Sequence, residues 1–178
     1  MDNILNAFCK KFCKIIEKYT EYIVVSGFVA IASGRVRGTE DIDMIISRIT
    51  KEQFQRLHQD LVGQGFICMQ ADKYQEVYSY LQDNISVRYT YPDRPIPQME
   101  IKFVKDPLDE YQLKTKVKLS LTGLDIWFSS LEMNIAFKEE LLKSQKDIED
   151  AQFLRKVYSR QISESEIQKI KEMIQRYR

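Results

Sequence analysis

The sequence predicts an α+β domain: a β-sheet flanked by helices and followed by a C-terminal helical tail. Three observations carry this. Residues 3–19 set Ile4, Leu5, Phe8, Phe12, Ile15, Ile16 and Tyr19 on one helical face. Short apolar or alternating runs follow at 22–26, 41–47, 85–91 and 98–104, each of strand length. From Ser129 onward the pattern is helical to the end, with no glycine- or proline-rich linker before it.

With 178 residues and 44% hydrophobic content the chain can bury a full core, which suits one domain with an appendage. The expected division is a core over 1–128 and a helical subdomain over 129–178 packed on it. No stretch approaches the ~20 apolar residues of a membrane span. Lys10, Lys11 and Lys14 interrupt the apolar start, so it lacks a signal-peptide core, and the expected location is the cytoplasm, without a membrane partner. A formal charge of +1 gives no global basic field, so any nucleic-acid contact has to be local. The three cysteines, Cys9, Cys13 and Cys68, make no disulfide framework. Cys9 and Cys13 lie four apart on the first helix but lack the four ligands of a structural zinc site, and read as helix thiols. His58 is the single histidine, in a helix-periodic run, and reads as structural.

In chain order, the helix over 3–19 leads to a buried strand at 22–26, a short helix at 27–33 and a second strand at 41–47. Thr50 with Gln53 forms a capping box for a helix that stops near Gly63-Gln64-Gly65. A short strand is expected at 66–69, whereas the tyrosines within 72–81 fit a helix or a strand edge equally. The runs 85–91 and 98–104 flank Pro92-Asp93-Arg94-Pro95-Ile96-Pro97 and read as a hairpin. A helix is expected at 107–114. Lys114, Lys116 and Lys118 then alternate with Thr115, Val117 and Leu119, which on a strand makes either a nucleic-acid patch or a lysine-protected edge. In the tail, Ser129 with Glu132 caps a helix to about Lys143, a second helix carries Ile148, Ala151, Leu154 and Val157, and Ser163 with Glu166 caps a third.

Chemistry concentrates between Val24 and Ile46. An apolar run ends in Ser26-Gly27, and after a short helix and an arginine-bearing loop a second strand carries Asp41 and Asp43. Residues two apart on a strand share a face, roughly 6.5–7 Å apart, so the two aspartates project together while Ile42 and Met44 face the core. Carboxylates that close resist joint ionisation unless a cation sits between them, and Mg²⁺ takes one or two carboxylates plus phosphate oxygens. Ser26-Gly27 stands where a strand turns into a helix, and exposed N–H groups there favour an anion.

Ser26-Gly27 followed by Arg37-Gly38-Thr39-Glu40-Asp41-Ile42-Asp43 resembles the nucleotidyltransferase superfamily, whose pattern is Gly-Gly/Ser, a short helix and Asp-x-Asp. The wording Arg-x-Thr-x-Asp-Ile-Asp most resembles the branch containing toxin-type nucleotidyltransferases of abortive-infection and toxin–antitoxin systems. Ser26 stands where that branch usually has its first Gly. The resemblance implies a nucleotidyltransferase-like mixed β-sheet and a third acidic residue on a neighbouring strand. Glu100, in the alternating run Met99-Glu100-Ile101-Lys102-Phe103, is the candidate, where family members more often carry Asp. It further implies two Mg²⁺ ions on Asp41, Asp43 and Glu100, and a nucleoside triphosphate cradled by Ser26 and Gly27 with help from Arg37 and Thr39. Lys138 and Lys146, the latter in Lys146-Asp147-Ile148-Glu149-Asp150, are the candidate cations for the triphosphate.

The activity expected from this is transfer of a nucleoside monophosphate to a hydroxyl acceptor, with tRNA, another RNA or a partner protein favoured. The departures at Ser26 and Glu100 leave a second expectation: a catalytically weak nucleotidyltransferase-fold module that binds a partner, as an antitoxin does.

Overall fold

The computed structural model describes residues 3–39 and 41–178; Glu40 of the motif lies outside the described residues. The chain opens on helix α1 (Ile4–Ile16), capped by the Asn3 side chain, which accepts from the Asn6 N–H at 2.7 Å. Its buried face holds Phe8, Phe12, Ile15 and Ile16, the spacing that defined it in the sequence. Strand β1 (Tyr22–Val25) passes through the six-residue helix α2 (Gly27–Ala32) into β2 (Asp41–Ile46). Helix α3 (Lys51–Gly63) starts at the Thr50–Gln53 capping box, both halves of which form.

The stretch over 72–81 resolves as a helix, α4 (Tyr74–Gln82), after a two-residue strand β3 (Ile67–Cys68). Val77, Ser79 and Leu81 decide it: on a strand all three would share one face, but Val77 and Leu81 are fully buried while Ser79 between them is exposed, which is the period of a helix. Strands β4 (Val87–Tyr91) and β5 (Arg94–Phe103) are the expected antiparallel hairpin. The proline loop is shorter than the sequence suggested, because β5 begins at Arg94 and takes in Pro95, in its exposed start, and the buried Pro97.

These strands form one mixed sheet in the order β1-β2-β5-β4-β3, in which only β2 and β5 run parallel. One face carries the core. Ile42, Met44 and Ile46 of β2 and Met99, Ile101 and Phe103 of β5 pack there with α1 and α3. Alternation sends Asp41, Asp43 and Ile45, with Gln98, Glu100 and Lys102, to the opposite face. Helix α5 (Pro107–Lys114) covers part of that second face, through a small cluster of Ile23, Ile45 and Leu113. The rest remains open beside the C-terminal helices.

Three expectations are corrected beyond α5. The lysine stretch 114–118 is not a strand: Lys114 closes α5, and only Val117 makes a bridge, to Phe128. The Lys116 and Lys118 ammonium groups stand 5.1 and 4.7 Å from the centre of the Trp127 ring and pair with Glu21 and Asp125. They cover an aromatic and meet acids, so they do not form an uncompensated row. The tail's first helix, α6 (Leu131–Phe137), is capped by Ser130, one residue later than expected. Ser129 is held extended because its N–H donates to Val24 O at 3.0 Å, which ties the tail to β1. The helix also does not continue regularly to Lys143. At Lys138–Leu142 it widens into a π turn, a feature frequent at functional sites.

Helices α7 (Gln145–Val157) and α8 (Glu164–Tyr177) complete the tail, with Ser163 capping α8 as read. Leu154, Ile167, Ile170 and Ile174 join the same apolar core as the sheet. No helix among the described residues is long and apolar enough to cross a membrane. Cys9 and Cys13 are free and buried, their sulfurs 3.9 Å apart.

His58 is buried, as its place on α3 implies, and both ring nitrogens are used: Nδ1 lies 2.7 Å from the Tyr89 hydroxyl and Nε2 3.1 Å from Asp72 O. A neutral ring that donates from Nε2 and accepts from Tyr89 satisfies both. Burial lowers the His58 pKa. A depressed pKa means that His58 favours folding above the unfolded value of about 6.5 and loses that contribution as pH falls below it. Melting temperature is therefore expected to drop between pH 7 and pH 5 in the native chain by more than in His58→Gln; equal slopes would refute this role.

Candidate active site

The site begins at the end of β1. Ser26 has φ 68° and ψ −146°, a backbone region that glycine adopts and that costs other residues about 1–3 kcal/mol. This explains physically why glycine is usual at this place, and such strain is characteristic of functional positions. The Ser26 hydroxyl stands near the Asp43 carboxyl and offsets part of the rise in its pKa, an effect that glycine could not have.

Strand register brings Asp43 directly beside Glu100, because β2 and β5 run parallel with those residues paired. Asp41 pairs with Gln98 instead, on the same face but one pleat away. Of the three expected carboxylates the structure therefore brings two together, and Asp41 acts on Asp43 only through its charge. Among the described residues no three His, Cys, Asp or Glu side chains gather as a metal-binding group. The Asp43 carboxyl is pushed up to about 7 by burial first, then by the hydrogen-bonded, like-charged Glu100 and by Asp41. Arg88 of β4, partly exposed, stands 3.6 Å from Glu100. Two converging carboxylates, partly buried and with Asp43 short of positive charge, are the hard oxygen donors that Mg²⁺ takes, so these residues fit that ion.

Asp43 and Glu100 stand in a cleft of about 410 Å³ between the open sheet face and α6, within the range of small-molecule sites. Ser26 and Ile45 line the sheet side. Met133, Phe137, Leu141 and Leu142 form an apolar wall opposite, the last two on the π turn. Positive charge comes from Lys138, Lys102, Lys105 and Arg178. Burial, reinforced by Arg178 and Lys102, lowers the pKa of Lys105.

Behind the cleft lies an ion cluster built on Asp150, which is fully buried. Its Oδ1 accepts from Arg35 Nε at 2.5 Å and Arg37 Nε at 3.0 Å; its Oδ2 accepts from Arg37 Nη2 at 2.9 Å and Lys138 Nζ at 3.0 Å. One carboxylate thus joins the loop after α2, the helix α7 and the ammonium at the cleft. Arg37 is consequently a clamp and does not line the cleft. Its guanidinium lies against Gly27, where a Cβ would stand 2.2 Å from Nη2. Thr39 donates to Asp41 O at 3.0 Å and fixes the entry into β2. Lys138, 1% exposed, both reaches Asp150 and lines the cleft. Lys146 is exposed in the first turn of α7 and does not line it; within its run, Asp147 and Asp150 take the inward positions toward Lys138.

Sequence reasoning missed Asp150, and it did not single out Gln112 and Asn134, which also line the cleft. A signal for Asp150 existed: it sits beside Ala151 in the 147-151-154-158 spacing that marks the buried side of α7, where a lone acid requires cations. Gly27→Ala is expected to cost about 1–3 kcal/mol by pushing Arg37 off Asp150. Urea denaturation in a double-mutant cycle checks it, since the cost should vanish in an Arg37→Ala background and persistence there would exclude the clash.

No protein-family model matches the chain, and no curated protein sequence does. Solved structures do match in shape. The crystal structure of ANT(2'')-Ia with adenylyl-2''-tobramycin superposes with a TM-score of 0.60 at 13% identity, over 99% of this chain and 100% of that one. The fold is the nucleotidyltransferase fold. A solution structure of ANT(2'')-Ia, an antibiotic-resistance factor, gives 0.58 at 14% identity over 98% and 93% of the two chains. An antigenic nucleotidyltransferase-like protein from Paracoccidioides brasiliensis gives 0.54 at 15%, over 97% and 87%. The nucleotidyltransferase fold accounts for the mixed sheet with its flanking helices. At these identities the likeness is one of architecture.

Proposed function

We propose that this protein is a Mg²⁺-dependent nucleotidyltransferase, which moves a nucleoside monophosphate from a nucleoside triphosphate to an acceptor hydroxyl. The observation that carries this reading is the Asp43–Glu100 pair, with Asp41 one pleat away, facing a cleft that also holds the Lys138 ammonium. Two Mg²⁺ ions on Asp41, Asp43 and Glu100 would supply charge neutralisation and polarise the α-phosphate. Ser26 and Gly27 receive the phosphates, with Lys138 on their far side. Glu100 takes the proton from the acceptor hydroxyl, whose oxygen attacks the α-phosphorus in line. The bond to the β-phosphate breaks, and pyrophosphate leaves with the electron pair.

The acceptor we favour is tRNA, another RNA or a macromolecular partner, in a cytoplasmic toxin–antitoxin or defence setting. Its support is the Arg37-Gly38-Thr39-Glu40-Asp41-Ile42-Asp43 wording. The ANT(2'')-Ia complex with adenylyl-2''-tobramycin makes a small hydroxyl compound the competing acceptor class. The test is incubation of the full chain and Mg²⁺ with each labelled nucleoside triphosphate, in the presence of total RNA, cellular protein or tobramycin. Label on RNA or protein supports the reading; label on tobramycin alone overturns the macromolecular acceptor.

A second reading, a catalytically weak partner-binding module, is favoured by one observation: Asp41 stands outside the carboxylate pair. Calorimetric titration separates the two, because a bare scaffold takes up no nucleoside triphosphate with Mg²⁺.

A further inference from the structure

Two carboxamides in the cleft present their oxygens and withhold their nitrogens. Asn134 of α6 is buried and donates its Nδ2 to Ser129 O at 3.1 Å, Ser129 Oγ at 2.8 Å and Ser130 O at 2.9 Å. Turning this amide over would set Oδ1 against three oxygens, so its orientation is fixed. Gln112 of α5 is also buried and donates its Nε2 to Asp109 Oδ1 at 3.1 Å, a fully buried carboxylate that forbids the reverse orientation. Neither Asn134 Oδ1 nor Gln112 Oε1 accepts a bond within the protein. Among the described residues the one side-chain nitrogen or oxygen both sealed from solvent and without a partner is Arg88 Nε, so these two oxygens are open where their residues line the cleft.

Ile45, Met133 and Phe137 line the same cleft as apolar walls, with Arg178 beside Gln112 on Asp109. Flat apolar walls suit the faces of a nucleobase, and two fixed acceptors set what its edge has to offer. An amino group donates to them; an oxo group at the same place turns its lone pairs against them and leaves both oxygens unpaired. Resting on the proposal that the cleft holds a nucleoside triphosphate, we infer that Asn134 and Gln112 select donors whose base carries an exocyclic amine. They are specificity residues and take no part in the transfer itself.

Matched pairs that differ by amine against oxo test this: ATP with ITP, and CTP with UTP, titrated calorimetrically into the full chain with Mg²⁺. The amino member of at least one pair is expected to bind roughly tenfold tighter or more. In Gln112→Met or Asn134→Leu, variants of similar shape without the acceptor, that ratio should shrink to within about threefold. Equal binding within both pairs overturns the inference, as does a ratio unchanged in both variants. Affinity lost in 2'-deoxy- or 3'-deoxy-ATP, with no preference between bases, would place the donors on the ribose and also overturn it. Metal-dependent but base-blind binding defeats this inference alone, whereas no binding of any triphosphate defeats the parent proposal with it.

Discussion

Replacement of Asp150 by Ala is expected to destabilise the protein by about 3–5 kcal/mol, the usual cost of removing one partner from a buried ion cluster. Lys138 is 1% exposed and the Arg35 and Arg37 side chains are 18% and 16% exposed, so three cations would be left facing one another with little water. The native cluster has the opposite sign of problem under control. Burial by itself raises the pKa of Asp150, but the bonds from Arg37, Lys138 and Arg35 outweigh it and hold the carboxyl below its ordinary range. With the folded pKa depressed, the contribution is present above the unfolded value of about 4 and is lost as pH falls below it toward the folded one. Urea denaturation followed by circular dichroism at pH 7 measures the cost. A loss under 1 kcal/mol would show that water reaches the cluster and that it does not organise the loop.

Asp43→Asn is expected to work in two directions at once. In the presence of Mg²⁺ it should weaken nucleoside triphosphate binding at least a hundredfold, roughly the upper range for loss of an outer-shell metal partner. In chelator at pH 8 the same variant should be more stable than the native chain by about 2–4 kcal/mol, because it removes a charge that burial and Glu100 both oppose. The sign follows from the raised pKa of about 7. The folded state holds the Asp43 proton more tightly than the unfolded chain, so its stabilising contribution is full below about pH 4 and fades as pH rises to about 7. The advantage of the variant therefore widens over that window and levels off above it. Mg²⁺ should raise the melting temperature of the native chain and not of the variant. Equal stability of the two proteins at pH 8 in chelator would mean that the carboxylates do not strain against each other.

Such a gain in stability at the expense of binding is the mark of residues kept for function. It also separates Asp43 from Asp150, although both are acids within one site. Asp43 is held among like charges and lacks a cation of its own. Asp150 is supplied with three.

Much of the architecture was legible because it is written in local period. The α1 stripe, the Thr50 and Ser163 caps and the β4–β5 hairpin depend on residues a few places apart. The pair of aspartates on one strand face was legible for the same reason. Legibility failed where a distant partner decided the outcome. Ser129 was displaced from its cap by β1, the lysines at 116 and 118 were drawn onto Trp127, and Val77 with Leu81 needed the core to declare a helix.

The sequence by itself determined which side chains face the open side of the sheet, since alternation along a strand is a property of the chain alone. Only the tertiary structure decided what each charge does there. Parallel register set Glu100 beside Asp43 and left Asp41 one pleat off, and the docking of α7 placed Asp150 where it holds the Arg37 guanidinium against Gly27, away from the cleft. Register and docking are set by contacts far apart in the chain, and the field at a carboxylate falls off with distance in space, which the order of residues does not record.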